Sequence, residues 1–139
     1  MTQTSKITYL GNLSTEAEHL KSGQKIITDA PTDNNGRGEA FSPTDLAATS
    51  LGSCAITVIG IAAQKEEHEF KNTEVAITKI MSTDSPRRIS KIKVEFSFTC
   101  EPALTDEQKR RYERVAHTCP VALSLHPDIE QEMIFTWLN

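Results

Sequence analysis

From Leu46 to Gln64 the chain carries no charged residue, although 24% of its residues are charged. A run of that length approaches a membrane span, but Thr49, Ser50, Gly52, Ser53, Thr57 and Gly60 interrupt its apolar character, which argues against insertion. The reading that fits is a helix buried on nearly all sides. Its start is marked by Ser42 as N-cap, Pro43 at the first helical position and Asp45 three residues after the cap, and its end is expected near Glu67. At helical spacing Ala47, Ser50, Leu51, Cys54, Thr57, Val58 and Ile61 share one face. Ala55, Ile56, Ile59, Ala62 and Ala63 occupy much of the remainder, so both faces want cover.

A chain of 139 residues has room for one domain, and residues 1–139 are read as a single one whose function sits in one core or between copies. An apolar fraction of 37%, with six glycines and six prolines, suits a globular protein and excludes disorder as the main state. The formal net charge of -4 gives no pull toward nucleic acid or an anionic membrane, and neither is expected as a partner. Three cysteines, Cys54, Cys100 and Cys119, form no CxxC pair, so neither a disulfide-stapled secreted domain nor a zinc ribbon is indicated. The opening MTQTSKITYL lacks the apolar run of an export signal. The expected setting is cytoplasmic and thiol-reducing.

Before the central helix, KITYL, a run ending near Leu20, and QKIIT read as short strands joined at Gly11-Asn12 and Lys21-Ser22-Gly23. The stretch DAPTDNNGRGEAFSP is a long loop holding Arg37 between two glycines. After the helix a strand is expected over Thr73 to Met81. A second follows in which Ile92, Val94, Phe96, Phe98 and Cys100 alternate with Lys91, Lys93, Glu95, Ser97 and Thr99. Thr105 to Gln108 is a capping box opening a helix with Tyr112, Val115, Ala116 and Cys119 on one stripe. Pro120 interrupts it, a short helix follows around Val121 to Leu125, and MIFTWL closes the chain as a strand. Runs of adjacent strands point to an α+β fold with a mainly antiparallel sheet.

Cys100 continues the inward row of its strand and reads as a small core residue. Cys54 has Ser50, Ser53 and Thr57 for company and Cys119 has His117 and Thr118, so each is a candidate for chemistry as well as for the core. A metal site from His117, Cys119 and Cys54 lacks paired-ligand spacing, and His68, in the charged run KEEHEF, reads as solvated. A cysteine hydrolase with Cys54 as nucleophile and His117 as base is conceivable, but nothing specifies an oxyanion hole.

The segments SPTDLAATSLGSCAI and, 65 positions after Cys54, AHTCPVAL resemble the OsmC/Ohr family of thiol-dependent hydroperoxide reductases, in an order and spacing that cover most of the chain. The resemblance implies an OsmC-like fold in which a mainly antiparallel sheet wraps a long central helix. It also implies that Cys54 is the peroxidatic and Cys119 the resolving cysteine, with no metal or organic cofactor. By the same resemblance, a dithiol such as a lipoylated protein is expected as the reductant rather than glutathione. Organic hydroperoxides suit the apolar side chains Leu51, Val58 and Ile61 around Cys54.

The peroxidatic thiol, ordinarily titrating at about 8.5, must be lowered by a cation or by donors, and Cys54 lies too deep in its helix for the helix dipole to do so. The hydroperoxide-resistance branch carries an arginine in an N-terminal GGR-like turn and a glutamate ten positions before the cysteine. Here Gly11-Asn12 has no arginine, and Thr44, with Asp45 beside it, occupies the second position. Arg37 is the nearest substitute, with Glu39 or Asp45 to orient it, whereas Arg87 and Arg88 read as surface charges. A member that kept the scaffold and cysteines as a redox sensor or small-molecule binder is the alternative. One sheet covers one face of the central helix, so a two-fold, intertwined homodimer is expected to cover the other, with Cys54 at the seam.

Overall fold

The computed structural model describes residues 2–139. Its first compact unit runs to Ala47 and is built on an antiparallel meander of β1 (Ser5–Gly11), β2 (Ser14–His19) and β3 (Lys25–Asp29). Gly11, Asn12 and Leu13, at φ of 83°, 54° and 62°, carry the first turn. Strand alternation then sorts the faces. Ile7, Ala17 and Ile26 line up across the sheet, and Lys6, Glu18 and Lys25 form the next row, where Lys25 pairs with Glu16 and Glu18. Ile7 and Tyr9 remain 66% and 64% exposed.

The segment after β3 is folded tightly on itself. A 3-10 turn (Thr32–Asn34) leads to Gly36, where a Cβ would stand 1.7 Å from the Ala30 carbonyl oxygen; no other residue fits there. The N–H groups of Gly36 and Asp29 donate to the carbonyls of Pro31 and Phe41.

Helix α1 (Pro43–Lys65) starts as the sequence indicates: Ser42 N–H donates to Asp45 Oδ2 and Asp45 N–H to Ser42 Oγ, a reciprocal cap. It continues into the second unit, Ala48–Asn139. There Ala48, Leu51, Gly52, Ala55, Ile59 and Ala63 form its buried stripe, in one core with Ile92, Val94, Phe96 and Phe98. Gly52 permits the close approach to β4 (Glu69–Met81), since a Cβ there would lie 2.4 Å from Ile77 Cδ1. Ser53, Thr57, Ile61 and Gln64 remain exposed. The interrupting small residues lower the hydropathy less than expected: α1 is long and apolar enough to cross a membrane, at a mean hydropathy of 1.8, although 33% of that window is buried.

The strand pairing differs from a single antiparallel sheet. β4 pairs antiparallel with β5 (Ile89–Glu101), and β5 pairs parallel with β6 (Glu130–Trp137) to give a second three-stranded sheet. A hairpin can join antiparallel strands, but reaching β6 requires the crossover through α2 (Asp106–His117) and α3 (Pro120–Ser124), which restores the strand direction. Ile92, Val94, Phe98 and Cys100 of β5 are fully buried, and Lys91 and Lys93 on its other face pair with Glu130, Glu132 and Glu95. Phe70 stacks on Phe98 at 5.2 Å and Phe96 on Phe135 at 4.7 Å. The expected α+β class is therefore observed, with β4 beginning four residues before Thr73.

Candidate active site

Cys54 is half-buried, placed where the core stripe of α1 meets its uncovered face. Cys119 stands at the joint of α2 and α3, 1% exposed. Pro120 forces the joint, because proline cannot continue α2 but is suited to the first position of a new helix. Cys119 accordingly turns extended, at φ -65° and ψ 152°, and becomes the N-cap of α3, its Sγ accepting the Ala122 N–H at 3.5 Å. Cys54, a neighbour in the same core cluster, acts electrostatically on the Cys119 thiol. The fold thus brings together two cysteines that are 65 positions apart in the chain.

Burial pushes the Cys119 thiol above its ordinary value. The Ala122 N–H pulls it back, the neighbouring Cys54 raises it further, and the Val121 N–H lowers it again. The net direction is up, so Cys119 holds its proton at neutral pH. Cys100 is also raised, by burial and then by the charge of Glu101; it lies in the core row of β5, its N–H and C=O bonded to the side chain of Asn139. The ring of His117 lies edge-on to Phe135 at 6.0 Å. Among the described residues, no three His, Cys, Asp or Glu side chains gather as metal ligands.

In the first unit the partner of Arg37 is Asp29, whose Oδ1 accepts from the guanidinium at 3.4 Å. The Asp29 side chain is 4% exposed and that of Arg37 56%, so a buried carboxylate holds one edge of a cation whose remainder faces outward. Glu39 contributes its backbone N–H to Asp29 Oδ2, at 3.2 Å, and the Asp45 carboxylate serves the α1 cap. Asp29 was not legible as a site residue: it reads as the last residue of a strand, and only the folded loop carries Arg37 back to it. Arg87 and Arg88 are exposed, Arg88 on Asp84 at 3.0 Å. Leu51 is entirely buried, Val58 is half-buried, and Ile61 is 50% exposed on the uncovered face.

The fold is thus two three-stranded sheets and a long apolar helix that carries the free thiol of Cys54, with the free thiol of Cys119 at a helix joint. The OsmC-like protein family matches residues 36–133, and the chain belongs to that family. A structure from Psychrobacter arcticus 273-4, of a protein proposed to be an osmotic stress induced and detoxification response protein, is 50% identical. The match covers 97% of this chain and 96% of that one, at a TM-score of 0.90. The organic hydroperoxide resistance protein OsmC of Legionella pneumophila shares the fold at 16% identity over 98% and 97% of the two chains, TM-score 0.71. So does a Vibrio cholerae protein proposed to act in organic hydroperoxide resistance and solved with captopril in one of its active sites. It is 19% identical over 97% and 92% of the chains, TM-score 0.69. Among curated proteins none matches.

Proposed function

We propose that the protein is a thiol-dependent peroxidase that reduces organic hydroperoxides to alcohols. The observation that carries this reading is that the half-buried Cys54 and the buried Cys119 meet in one core cluster and interact electrostatically, within a fold shared with an organic hydroperoxide resistance protein. The Cys54 thiolate attacks the distal oxygen of ROOH. The O–O bond breaks, the alkoxide takes up a proton to leave as ROH, and Cys54 is left as a sulfenic acid. Cys119 then loses its proton and attacks the Cys54 sulfur, the S–S bond forms, and hydroxide leaves with that proton as water. An external dithiol returns two electrons and becomes a disulfide itself.

The assignment of roles follows exposure. Cys54 is the accessible sulfur and Cys119 the buried one, and the raised Cys119 thiol keeps it from competing for peroxide. Arg37 is the candidate cation for thiolate formation, with Asp29 fixing its guanidinium. A lipoylated protein is the proposed reductant and the reducing cytoplasm the proposed setting. A two-fold homodimer is proposed to cover the exposed flank of α1, because Ser53, Thr57 and Ile61 carry no charge that would suit them to water.

The test is consumption of cumene hydroperoxide with dihydrolipoamide as reductant. The wild type is expected to turn over and Cys54→Ser to be inactive; equal rates would remove Cys54 from the mechanism.

A further inference from the structure

His68, which reads as solvated within its charged run, is in fact buried, its side chain 7% exposed. Its Nδ1 lies 2.7 Å from the hydroxyl of Tyr112, which is entirely buried. Burial and then Glu66 raise that hydroxyl above its ordinary value, the Glu66 Oε2 lies 3.9 Å from His68 Nδ1, and Arg111, the neighbour of Tyr112 in α2, forms an ion pair with the same carboxylate. A phenol can both donate and accept, so the hydrogen bond between Tyr112 and His68 Nδ1 is satisfied by either imidazole tautomer. The Arg111 guanidinium lies 5.6 Å from the Tyr112 ring centroid, and the rings of His68 and Phe70 meet that ring edge-on at 6.0 and 6.4 Å. Glu66 and His68 belong to the turn that closes α1, where His68 N–H donates to the Ala63 carbonyl. The network therefore ties α2 to the end of α1 and the start of β4.

Filling that space needs only a phenylalanine, and burying a phenol and an imidazole costs free energy unless every polar atom is paired. What the polar pairing adds is a fixed rotation of α2. Tyr112 and Ala116 are the buried residues of that helix, and Cys119 follows two residues past its end, at the joint with α3. The joint is carried by the end of α2, and a turn of the helix by about 10° moves an atom roughly 5–6 Å from its axis by about 1 Å. A displacement of that size can cost about 100-fold in a reaction between two held groups.

We propose that Tyr112, held by His68, Glu66 and Arg111, is a positioning residue that sets Cys119 against Cys54 for disulfide formation. The inference rests on the peroxidase reading for its place in the cycle, but sulfur placement is measurable without it, because diamide closes a vicinal dithiol directly, being reduced to the hydrazine as the two thiols lose two electrons and two protons.

The experiment compares wild type, Tyr112→Phe, His68→Leu and His68→Gln, each shown folded by its near-ultraviolet circular dichroism. Three rates are read: the first equivalent of cumene hydroperoxide consumed, the appearance of the Cys54–Cys119 disulfide with and without dimedone, and disulfide closure by diamide. Tyr112→Phe and His68→Leu are expected to consume the first equivalent at the wild-type rate, to form the disulfide about tenfold more slowly by either route, and to accumulate the dimedone adduct on Cys54. His68→Gln, whose amide can donate to or accept from the Tyr112 hydroxyl in place of Nδ1, restores the disulfide rate to within about threefold of wild type. Unchanged closure in Tyr112→Phe, or an equal loss in the peroxide step, overturns the proposal. Wild-type protein that ignores peroxide while the diamide rates still separate overturns the peroxidase reading and leaves the positioning role supported.

Discussion

The Sγ of Cys119 accepts the Ala122 N–H at 3.5 Å while the neighbouring Cys54 acts on it electrostatically. The sulfur proposed to resolve the oxidised intermediate thus sits between a donor that favours its anion and a neighbour that favours its neutral form. Burial, the largest influence, decides for the neutral form.

The resolving step should accordingly accelerate with pH. Because Cys119 is raised above 9.0, its thiolate fraction grows about tenfold per pH unit across the neutral range. Stopped-flow mixing of pre-formed Cys54 sulfenic acid at pH 6.5, 7.5 and 8.5 should show disulfide formation rising in that proportion. A rate that is already flat at pH 7 would mean that Cys119 is ionised there.

The reduced protein should lose stability in alkali. For a thiol whose folded value is raised, the unfolded chain gives up its proton first. The stabilisation is therefore complete below the ordinary value of 9.0 and disappears as pH rises through the folded value. Cys100 and Cys119 both act in this direction, and Tyr112, raised above 10.0 mainly by burial, extends the loss further. Urea titrations under reductant at pH 7.5 and pH 10 should give a lower midpoint at pH 10. Cys100→Val should reduce the difference, and a midpoint that rises with pH would contradict the argument.

Asp29 and Arg37 should behave as one unit. The carboxylate is buried and the guanidinium is its partner at 3.4 Å, so Asp29→Asn removes the orienting charge and Arg37→Ala the cation. Each should lower kcat/KM for cumene hydroperoxide by about tenfold or more, as expected for the loss of a group that stabilises developing charge. The double variant should be little worse than either single one. Steady-state kinetics that show additive losses would place the two residues in separate roles.

The exposed flank of α1 should be an interface between copies. Ile61 is 50% exposed in the single chain, and Ile61→Asp would bury a charge in a two-fold contact. Sedimentation velocity at micromolar concentration should give a dimer for wild type and a monomer for Ile61→Asp. A wild-type monomer would contradict the arrangement.

Local periodicity carried much of this structure into view. The alternation of β5 from Ile92 to Cys100 sorts its faces without help from any other segment, and the caps at Ser42 and Thr105 are reciprocal bonds within four residues. What was not legible depends on distant partners. His68 looks solvated because its neighbours are charged, and only Tyr112, 44 residues away, supplies the bond that buries it. The parallel pairing of β6 is set by the crossover of α2 and α3 rather than by the composition of the strand. Arg37 was visible as a cation in a glycine-bounded loop, but its partner was not, because Asp29 meets it only after the loop folds back. The cysteines were found through motif and spacing, and the structure added that they meet in one core cluster, with Cys119 buried and its thiol raised.

The most direct test of the central claim is to treat the fully reduced protein with one equivalent of cumene hydroperoxide and map its cysteines by peptide mass spectrometry. One intramolecular Cys54–Cys119 disulfide per chain, with Cys100 still a free thiol, is the predicted result. Protein in which Cys54 and Cys119 both remain reduced, or in which Cys100 takes a place in the disulfide, would contradict it.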